Sequence, residues 1–380
     1  MDEALRRYCA GEHLARDEAC ELQQWIFARS LLLATHSAAP ALYHVVSLSS
    51  GAYADAPIGR VMRFTFPSFT YDELAGHRGC VRCVAVLADG STIVSGSDDS
   101  TLRVWAQDAG GTHGAQAQTL RAHDSEVTCL MALDEAFISG SADGKMMLWD
   151  VDCDGAFTCV QELVGHAHWV CCIAPLADAS GFVSGSVDST VRVWTRGRAG
   201  TFVSAQTLNG HTNSVLCAAS FFSAPIGLVT GSMDRTLQVW ERGAGGAFVS
   251  IQTLARHTSG VHSLAPTASA TSRFVSVTYH GCLRVWGALG NARSAHCALL
   301  FTVAGIVRAE CIVPLCGTRS VLGTREGTLR IVKWETRESS AACVQTISVH
   351  DRPVTCAAPL ADGRLVSGSY DRTLRVHTMY

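Results

Sequence analysis

The chain has 380 residues, a hydrophobic content of 48% and a formal net charge of −3. Such a chain can bury a large core, and its near-neutral balance argues against dominant binding to nucleic acid or to an anionic membrane surface. No apolar run reaches the ~18–20 residues that cross a bilayer, and the start Met1-Asp2-Glu3 lacks the basic and then apolar order of a secretory signal. Composition therefore predicts an intracellular protein, cytoplasmic or nuclear, with no membrane segment.

The first sixty residues contain no repeat and are predicted to form a short helical extension followed by an irregular connector. Apolar side chains recur at near-helical spacing within residues 17–33, which favours a helix there. Pro40 and Pro57 interrupt a later stretch that is rich in Ala, Ser and Gly. We therefore expect residues 1–60 to be an extension and residues 61–380 to form the main domain.

An eleven-residue phrase then recurs along the chain at nearly constant spacing. It ends in Trp at positions 105, 149, 194, 240 and 286, so the steps are 44, 45, 46 and 46 residues. Most copies carry two short β-branched runs around an Asp-Ser, Asp-Gly or Asp-Arg turn, which predicts a hairpin. One strand before each hairpin and another before the next copy give four short strands per copy. The clear copies span residues 95–105, 139–149, 184–194, 230–240, 276–286 and 367–377, and a worn copy spans 322–332.

A histidine lies upstream of each clear copy, and in three cases it follows a glycine. The Gly-His pairs, the turn aspartates and the closing tryptophans, repeated at this period, resemble the WD-repeat β-propeller family from about residue 66 to residue 380. The resemblance implies an all-β fold, a seven-bladed propeller, in addition to the short N-terminal helical extension. It also implies a protein without catalytic activity or cofactor that binds other proteins or short peptides. These histidines are His77, His123, His166, His211, His257 and His350.

The family resemblance further implies a buried hydrogen-bonded tetrad of His, Ser or Thr, Asp and Trp in each well-preserved copy. Although the residue types match a hydrolase triad, repetition at one period favours a structural role over a catalytic one. The four implied tetrads are His77, Ser95, Asp99 and Trp105; His123, Ser139, Asp143 and Trp149; His166, Ser184, Asp188 and Trp194; and His211, Thr230, Asp234 and Trp240.

The last copy ends near the final residue, Tyr380, and so lacks a fourth strand of its own. Residues 66–74 resemble the fourth strands of the other copies and precede the first histidine. We therefore predict that this segment completes the last blade, which would leave no open edge between the first and last blades.

Six of the sixteen cysteines share one position, in the middle of the predicted innermost strand of a copy. Shared register predicts buried free thiols near the axis, which favours a reducing compartment. Cys80 and Cys83 are not followed by a second pair at zinc-site spacing, so no metal is predicted. The six are Cys83, Cys129, Cys172, Cys217, Cys311 and Cys356, and Ser263 takes the position in the fifth copy.

The repeat breaks most in its fifth, sixth and last copies. His280 replaces the turn Asp, His377 replaces the last Trp, and the sixth copy has Gly305 in place of its His. Such breaks indicate either drift in a ring held by good neighbours or a site for a partner. Variable positions around the predicted channel rim are candidates for such a site. They are Arg82, Trp169, His262, Tyr279, Arg308, Glu310, Arg325 and Tyr370.

Several functions remain open at this point. A partner could be recruited by the rim or by the N-terminal helix. A substrate receptor of a ubiquitin ligase or a ubiquitin-binding adaptor is an alternative within the binding roles. An enzyme with a rim or channel active site is the alternative of another class, but the sequence shows no unrepeated nucleophile and base to support it. The sequence does not indicate an oligomeric state.

Overall fold

The computed structural model describes residues 71–378, apart from short segments at 109–110, 122, 198–199, 221–225, 244, 268–272, 290–295, 304–307, 316–318 and 336–339. These residues form seven four-stranded antiparallel sheets, which confirms the predicted all-β, seven-bladed propeller. No helix in the described part of the chain is long and apolar enough to cross a membrane. The predicted helical extension over residues 1–60 lies outside the described residues.

Each blade consists of an inner, a second, a third and an outer strand, in that order. The inner strands are β2 (Val81–Val86), β6 (Val127–Ala132), β10 (Val170–Pro175), β14 (Val215–Ser220), β18 (Val261–Pro266), β22 (Ala309–Pro314) and β26 (Val354–Pro359). The second strands are β3 (Ile93–Ser97), β7 (Phe137–Ser141), β11 (Gly181–Ser186), β15 (Ile226–Ser232), β19 (Arg273–Thr278), β23 (Arg319–Thr324) and β27 (Leu365–Ser369). The third strands are β4 (Leu102–Gln107), β8 (Met146–Val151), β12 (Val191–Arg196), β16 (Leu237–Arg242), β20 (Leu283–Leu289), β24 (Thr328–Glu335) and β28 (Thr373–His377). The outer strands are β1 (Tyr71–Ala75), β5 (His113–Leu120), β9 (Phe157–Leu163), β13 (Phe202–Leu208), β17 (Phe248–Leu254), β21 (His296–Val303) and β25 (Ser340–Ser348).

The inner strands contact one another in sequence, and β26 contacts β2, so the blades form a closed ring. Blades one to six take four consecutive strands each, beginning with β2. The seventh sheet joins β26, β27 and β28 to β1, which pairs antiparallel with β28 from Tyr71↔His377 to Ala75↔Thr373. The closing strand was expected over residues 66–74, of which 66–70 lie outside the described residues.

Neighbouring blades meet at a close contact between glycine, cysteine and valine. In blade four, a Cβ added to Gly231 would lie 2.7 Å from Cys217 Sγ and 3.0 Å from Val261 Cγ1 of the next blade. Blades one, two, three, six and seven place a glycine in the same way against their own cysteine and the following valine. Cys83, Cys129 and Cys217 are buried free thiols, whereas Cys172, Cys311 and Cys356 are partly buried. Small size at the glycine position is therefore needed for the blades to approach.

At the contact between blades five and six, side chains of different sizes occupy the glycine, cysteine and valine positions. Val277 stands at the glycine position and is fully buried opposite Ser263. The next inner strand begins with Ala309, where the other inner strands begin with valine. The smaller Ser263 and Ala309 thus offset the larger Val277, and Val277 and Ala309 belong to one apolar cluster.

Glutamine side chains link the outer strands of successive blades. The Gln206 amide donates to the Phe248 carbonyl and accepts from the Phe248 N–H, both at 2.8 Å. Gln118, Gln161 and Gln252 form equivalent pairs with Phe157, Phe202 and Cys297. These side chains satisfy backbone groups that would otherwise be free on an outer edge.

The pairing of the third and outer strands shifts register at the Trp position in six blades. This shift occurs in β5, β9, β13, β17, β21 and β25. Such bulges hinder pairing of the outer strand with another chain.

Candidate functional site

The His, Ser, Asp and Trp side chains of the first four blades lie together as hydrogen-bonded sets. In blade three, Trp194 Nε1 donates to Ser184 Oγ at 2.9 Å, which lies 2.8 Å from His166 Nε2. His166 Nδ1 lies 2.9 Å from Asp188 Oδ2. The sets His77, Ser95, Asp99, Trp105; His123, Ser139, Asp143, Trp149; and His211, Thr230, Asp234, Trp240 have the same pattern. Because Ser184 is fully buried, this set fixes strands and does not face a ligand.

The seventh blade carries a fifth complete set in which a histidine takes the role of the tryptophan. Ser367 Oγ lies 2.9 Å from His350 Nε2 and 2.8 Å from His377 Nε2. His350 Nδ1 lies 2.7 Å from Asp371 Oδ2. The substitution of His377 for Trp therefore preserves the hydrogen bond to the serine.

The fifth and sixth blades keep only parts of the set. In blade five, Ser276 Oγ contacts His257 Nε2 and Trp286 Nε1, but His257 Nδ1 has no hydrogen-bond partner among the described residues. In blade six, Trp334 Nε1 donates to Ser320 Oγ at 2.9 Å. In the register of the repeat, Leu322 occupies the serine position and Val332 the tryptophan position. The serine–tryptophan hydrogen bond is therefore kept, but it is made two residues earlier on β23 and two residues later on β24. The late position of Trp334 was the only sequence signal of this bond.

The pKa values of the carboxylates of these sets are lowered, and so are those of His77, His166, His211 and His257, which favours ionised carboxylates beside neutral imidazoles. Burial raises the pKa of Asp188, but hydrogen bonds from Thr190 and His166 outweigh this and bring the pKa to about 2. Burial, reinforced by the charge of Arg284, lowers the pKa of His257 to about 4. Burial and the charges of His350 and Arg375 lower the pKa of His377 to about 3.

The neutral histidines predict a loss of stability in mild acid. His257 and His377 have folded-state pKa values of about 4 and about 3, below the unfolded value of about 6.5. Between these values the unfolded chain binds protons that the folded chain does not, so their contribution is complete above pH ~6.5 and decreases as the pH falls. We expect the free energy of unfolding to drop by roughly 4 kcal/mol between pH 7 and pH 5, about half of it from each histidine, measured by urea unfolding. A His377→Phe variant should show a smaller drop, and an unchanged urea midpoint over this range would contradict the prediction.

Seven equivalent backbone hydrogen bonds build a repeated frame at one end of the channel. The turn position is the residue that follows the second strand of a blade, and the loop position is the residue that precedes its inner strand. In each blade the turn position donates its N–H to the carbonyl of the loop position. The donor–acceptor distances are 2.9–3.2 Å. The turn and loop positions are, blade by blade, Asp98 and Cys80, Ala142 and Glu126, Val187 and Trp169, Met233 and Ser214, Tyr279 and Gly260, Arg325 and Arg308, and Tyr370 and Pro353. We call these fourteen positions, together with the inner-strand residues Arg82, His262 and Glu310, the mouth.

One side of the mouth is occupied by side chains that bind one another. Arg82 forms an ion pair with Asp98 and donates to Tyr370 Oη at 2.8 Å, and its guanidinium lies 5.1 Å from the Tyr370 ring centre. Arg325 and Glu310 form a second ion pair. The Arg82–Tyr370 and Arg325–Glu310 contacts join residues that the sequence placed on the rim, whereas Asp98 was not predicted there. The Arg82–Tyr370 contact crosses the junction between blades seven and one.

His262 and Tyr279 form a third contact between predicted rim residues. Their rings stack with centres 4.6 Å apart, and His262 Nε2 contacts the Ala309 carbonyl at 3.1 Å. Burial lowers the pKa of His262, against the charge of Glu310. The imidazole is therefore held neutral beneath the tyrosine ring.

The remaining predicted rim residues, Trp169 and Arg308, have no partner of this kind. Trp169 is 48% exposed, and its one ring contact in the described chain is with the adjacent His168. Arg308 is exposed, and its side chain has no ion-pair partner among the described residues. These two side chains are therefore available to a ligand.

Blades three to five carry apolar or aromatic side chains at their turn positions, and blade three also carries Trp169 at its loop position. Met233 is 43% exposed, and a Cβ added to Gly260 would lie 2.6 Å from its sulfur and 3.4 Å from Tyr279 Cδ2. The name apolar arc is used below for Trp169, Val187, Met233 and Tyr279. Met233 was not predicted, although its register position, shared with Tyr279 and Tyr370, would have identified it.

The described residues contain no cluster of three or more His, Cys, Asp or Glu side chains suited to a metal ion. The arrangement at the mouth is instead one of exposed apolar and charged side chains on a fixed backbone. Its chemistry is that of contact with another molecule.

Sequence and structure comparisons agree with this architecture. The family described as "WD domain, G-beta repeat" (WD40) matches residues 69–106, 114–150, 157–195, 202–241, 248–287 and 341–378. The chain is similar to the crystal structure of the WD40 beta propeller domain of Doa1, with a TM-score of 0.65 and 22% identity over 82% of this chain and 97% of that chain.

Curated relatives match over shorter stretches. Methylosome protein WDR77 of Xenopus laevis is 27% identical over 129 residues, which are 33% of this chain and 33% of that protein. Apoptotic protease-activating factor 1 of Mus musculus is 34% identical over 93 residues, which are 23% of this chain and 7% of that protein. The matched segment of this chain thus spans a third or less of these relatives. Since the family pattern covers six of the seven blades, the chain belongs to the WD40 family.

Proposed function

We propose that this protein is a non-catalytic interaction platform inside the cell that binds a partner protein or a short peptide at the mouth. The observation that carries the proposal is the mouth itself: seven equivalent backbone frames hold fourteen positions whose side chains differ from blade to blade. A fixed frame with varied side chains is suited to recognition, because the backbone need not be ordered when the partner binds.

Trp169 is the strongest candidate for the main contact. Tryptophan contributes disproportionately to binding energy at interfaces, above all when it is rigidly held and loses solvent on binding. The Trp169 carbonyl accepts the Val187 N–H at 3.0 Å, while half of the residue surface stays exposed. Its backbone is therefore fixed and its ring is accessible.

The buried His, Ser and Asp sets support a platform and not a hydrolase. Their hydroxyl groups are already engaged by Trp and His, as with Ser184 between Trp194 and His166, and Ser184 has no exposed surface. Their physical role is to hold each loop position against its turn, which keeps the mouth in shape.

The proposal predicts that Trp169→Ala weakens binding of the mouth partner by about 30-fold, or ~2 kcal/mol. Affinity capture from the native cells followed by mass spectrometry would compare the full-length protein with this variant and with Met233→Ala. Val249→Ala is a matched control, because Val249 is 53% exposed on an outer strand away from the mouth. Circular dichroism melting would show that all variants fold. Partners that are retained equally by all four proteins would contradict binding at the mouth.

A further inference from the structure

The charged groups of the mouth are distributed in a definite order around the ring. Following the blades, Glu126 on blade two is succeeded by the apolar arc on blades three to five and then by Arg308 on blade six. The apolar arc is therefore bounded by one acidic and one basic side chain. A ligand that follows the arc would meet a carboxylate at one end and a guanidinium at the other.

These two charges are the ones that the mouth does not neutralise internally. Arg82 is paired with Asp98, and Arg325 is paired with Glu310. Glu126 accepts a hydrogen bond from Ser125 Oγ at 2.5 Å, and this bond lowers the pKa of its carboxyl. Within the described chain, neither Glu126 nor Arg308 has an ion-pair partner. Both are thus free to pair with a ligand.

The balance of one acid and one base also limits the class of ligand. A nucleic acid would require several cations in a row to neutralise its phosphates, which the mouth does not provide. The apolar arc is a strip made of single side chains from three neighbouring blades, and Met233 and Tyr279 both pack against Gly260 between them. A strip of this kind suits an extended chain whose alternate side chains point toward the surface.

We propose that the mouth binds an extended peptide segment in one direction, with a basic side chain at Glu126, an apolar or aromatic side chain on the apolar arc and an acidic side chain at Arg308. This inference rests on the proposed function and adds to it the chemistry and the polarity of the partner. Charge complementarity at the two ends selects the direction of the segment, while the central apolar contact supplies most of the affinity.

The test uses the full-length protein and a displayed library of random linear peptides. Enriched peptides should carry an apolar residue between a basic and an acidic residue, in a constant order. Glu126→Arg and Arg308→Glu should each weaken binding of an enriched peptide by about 5-fold. The double variant Glu126→Arg/Arg308→Glu should instead favour peptides in which the two charges are exchanged.

A charge exchange elsewhere on the ring provides the matched control. Arg242, at the end of β16, forms an ion pair with Asp178, in the turn between β10 and β11, at the end of the blades opposite the mouth. The exchange Asp178→Arg/Arg242→Asp keeps the net charge and should leave peptide selection unchanged. Peptides that need Trp169 but ignore the exchange of Glu126 and Arg308 would overturn this inference and leave the proposed function standing. The absence of any peptide whose binding depends on Trp169 would overturn both.

Discussion

Replacing Gly231 with valine is expected to lower the free energy of unfolding by about 3 kcal/mol. The new Cβ would lie 2.7 Å from Cys217 Sγ and 3.0 Å from Val261 Cγ1, both closer than carbon and sulfur atoms approach without repulsion. Since Cys217 and Val261 are buried on the inner strands of two blades, neither can move without disturbing the ring. Urea unfolding followed by tryptophan fluorescence would measure the change.

The contact between blades five and six indicates how the damage can be repaired. There valine at the glycine position is accompanied by Ser263 and Ala309. Adding Cys217→Ser and Val261→Ala to Gly231→Val should therefore recover at least half of the lost stability, whereas the two substitutions without Gly231→Val should be destabilising because they leave a cavity. The volume argument would be refuted if the triple variant were no more stable than Gly231→Val alone.

Asp234→His in blade four and His280→Asp in blade five, made as separate variants, should change the free energy of unfolding in opposite directions. Asp234→His is expected to cost about 3 kcal/mol, because it leaves His211 Nδ1 buried without its carboxylate. It also removes the acceptor for the N–H groups of Thr212 and Thr236. His280→Asp is expected to stabilise by about 1 kcal/mol, because it supplies an acceptor to His257 Nδ1, which now has none in the described structure.

Both variants are measured by the same denaturant titration, in parallel with His257→Phe/His280→Asp. In that variant the histidine is gone, so the new carboxylate should no longer stabilise the fold. A gain from His280→Asp that persisted without His257 would show that the aspartate acts elsewhere. Loss of stability in His280→Asp itself would mean that the fifth blade has adapted to the missing carboxylate.

The fold was predictable because each blade is specified by residues close in sequence. A turn such as Asp188-Ser189, two β-branched runs and a closing Trp194 determine a hairpin locally, and the period assembles hairpins into a ring. The four tetrads followed from the family resemblance, applied to the matching positions of each copy. His377 was predicted at a Trp position, but its hydrogen bond to Ser367 depends on ring geometry that a pattern does not contain.

The side-chain contacts of the mouth were less predictable because they join residues that are distant in sequence. Arg82 meets Tyr370 only because the ring closes between blades seven and one. The Met233 sulfur packs against Gly260 of the next blade, closer than a Cβ on that residue would allow. The compensating Val277, Ser263 and Ala309 likewise become related only when the neighbours are known. Register identified most candidate positions, but it did not show which of them are paired and which are free.

The pairing of β1 with β28 also determines how the ring responds to mechanical load. Tyr71 lies opposite His377 and Ala75 lies opposite Thr373, so the N-terminal end of β1 and the C-terminal end of β28 lie at the same end of the sheet. A force that pulls these two ends apart stretches the hydrogen bonds between the strands one after another and does not load them together. Antiparallel strands held in this orientation separate like a zipper, at lower force than strands that must slide past each other. Tension on the chain is therefore expected to open the seventh blade first, while six blades remain closed.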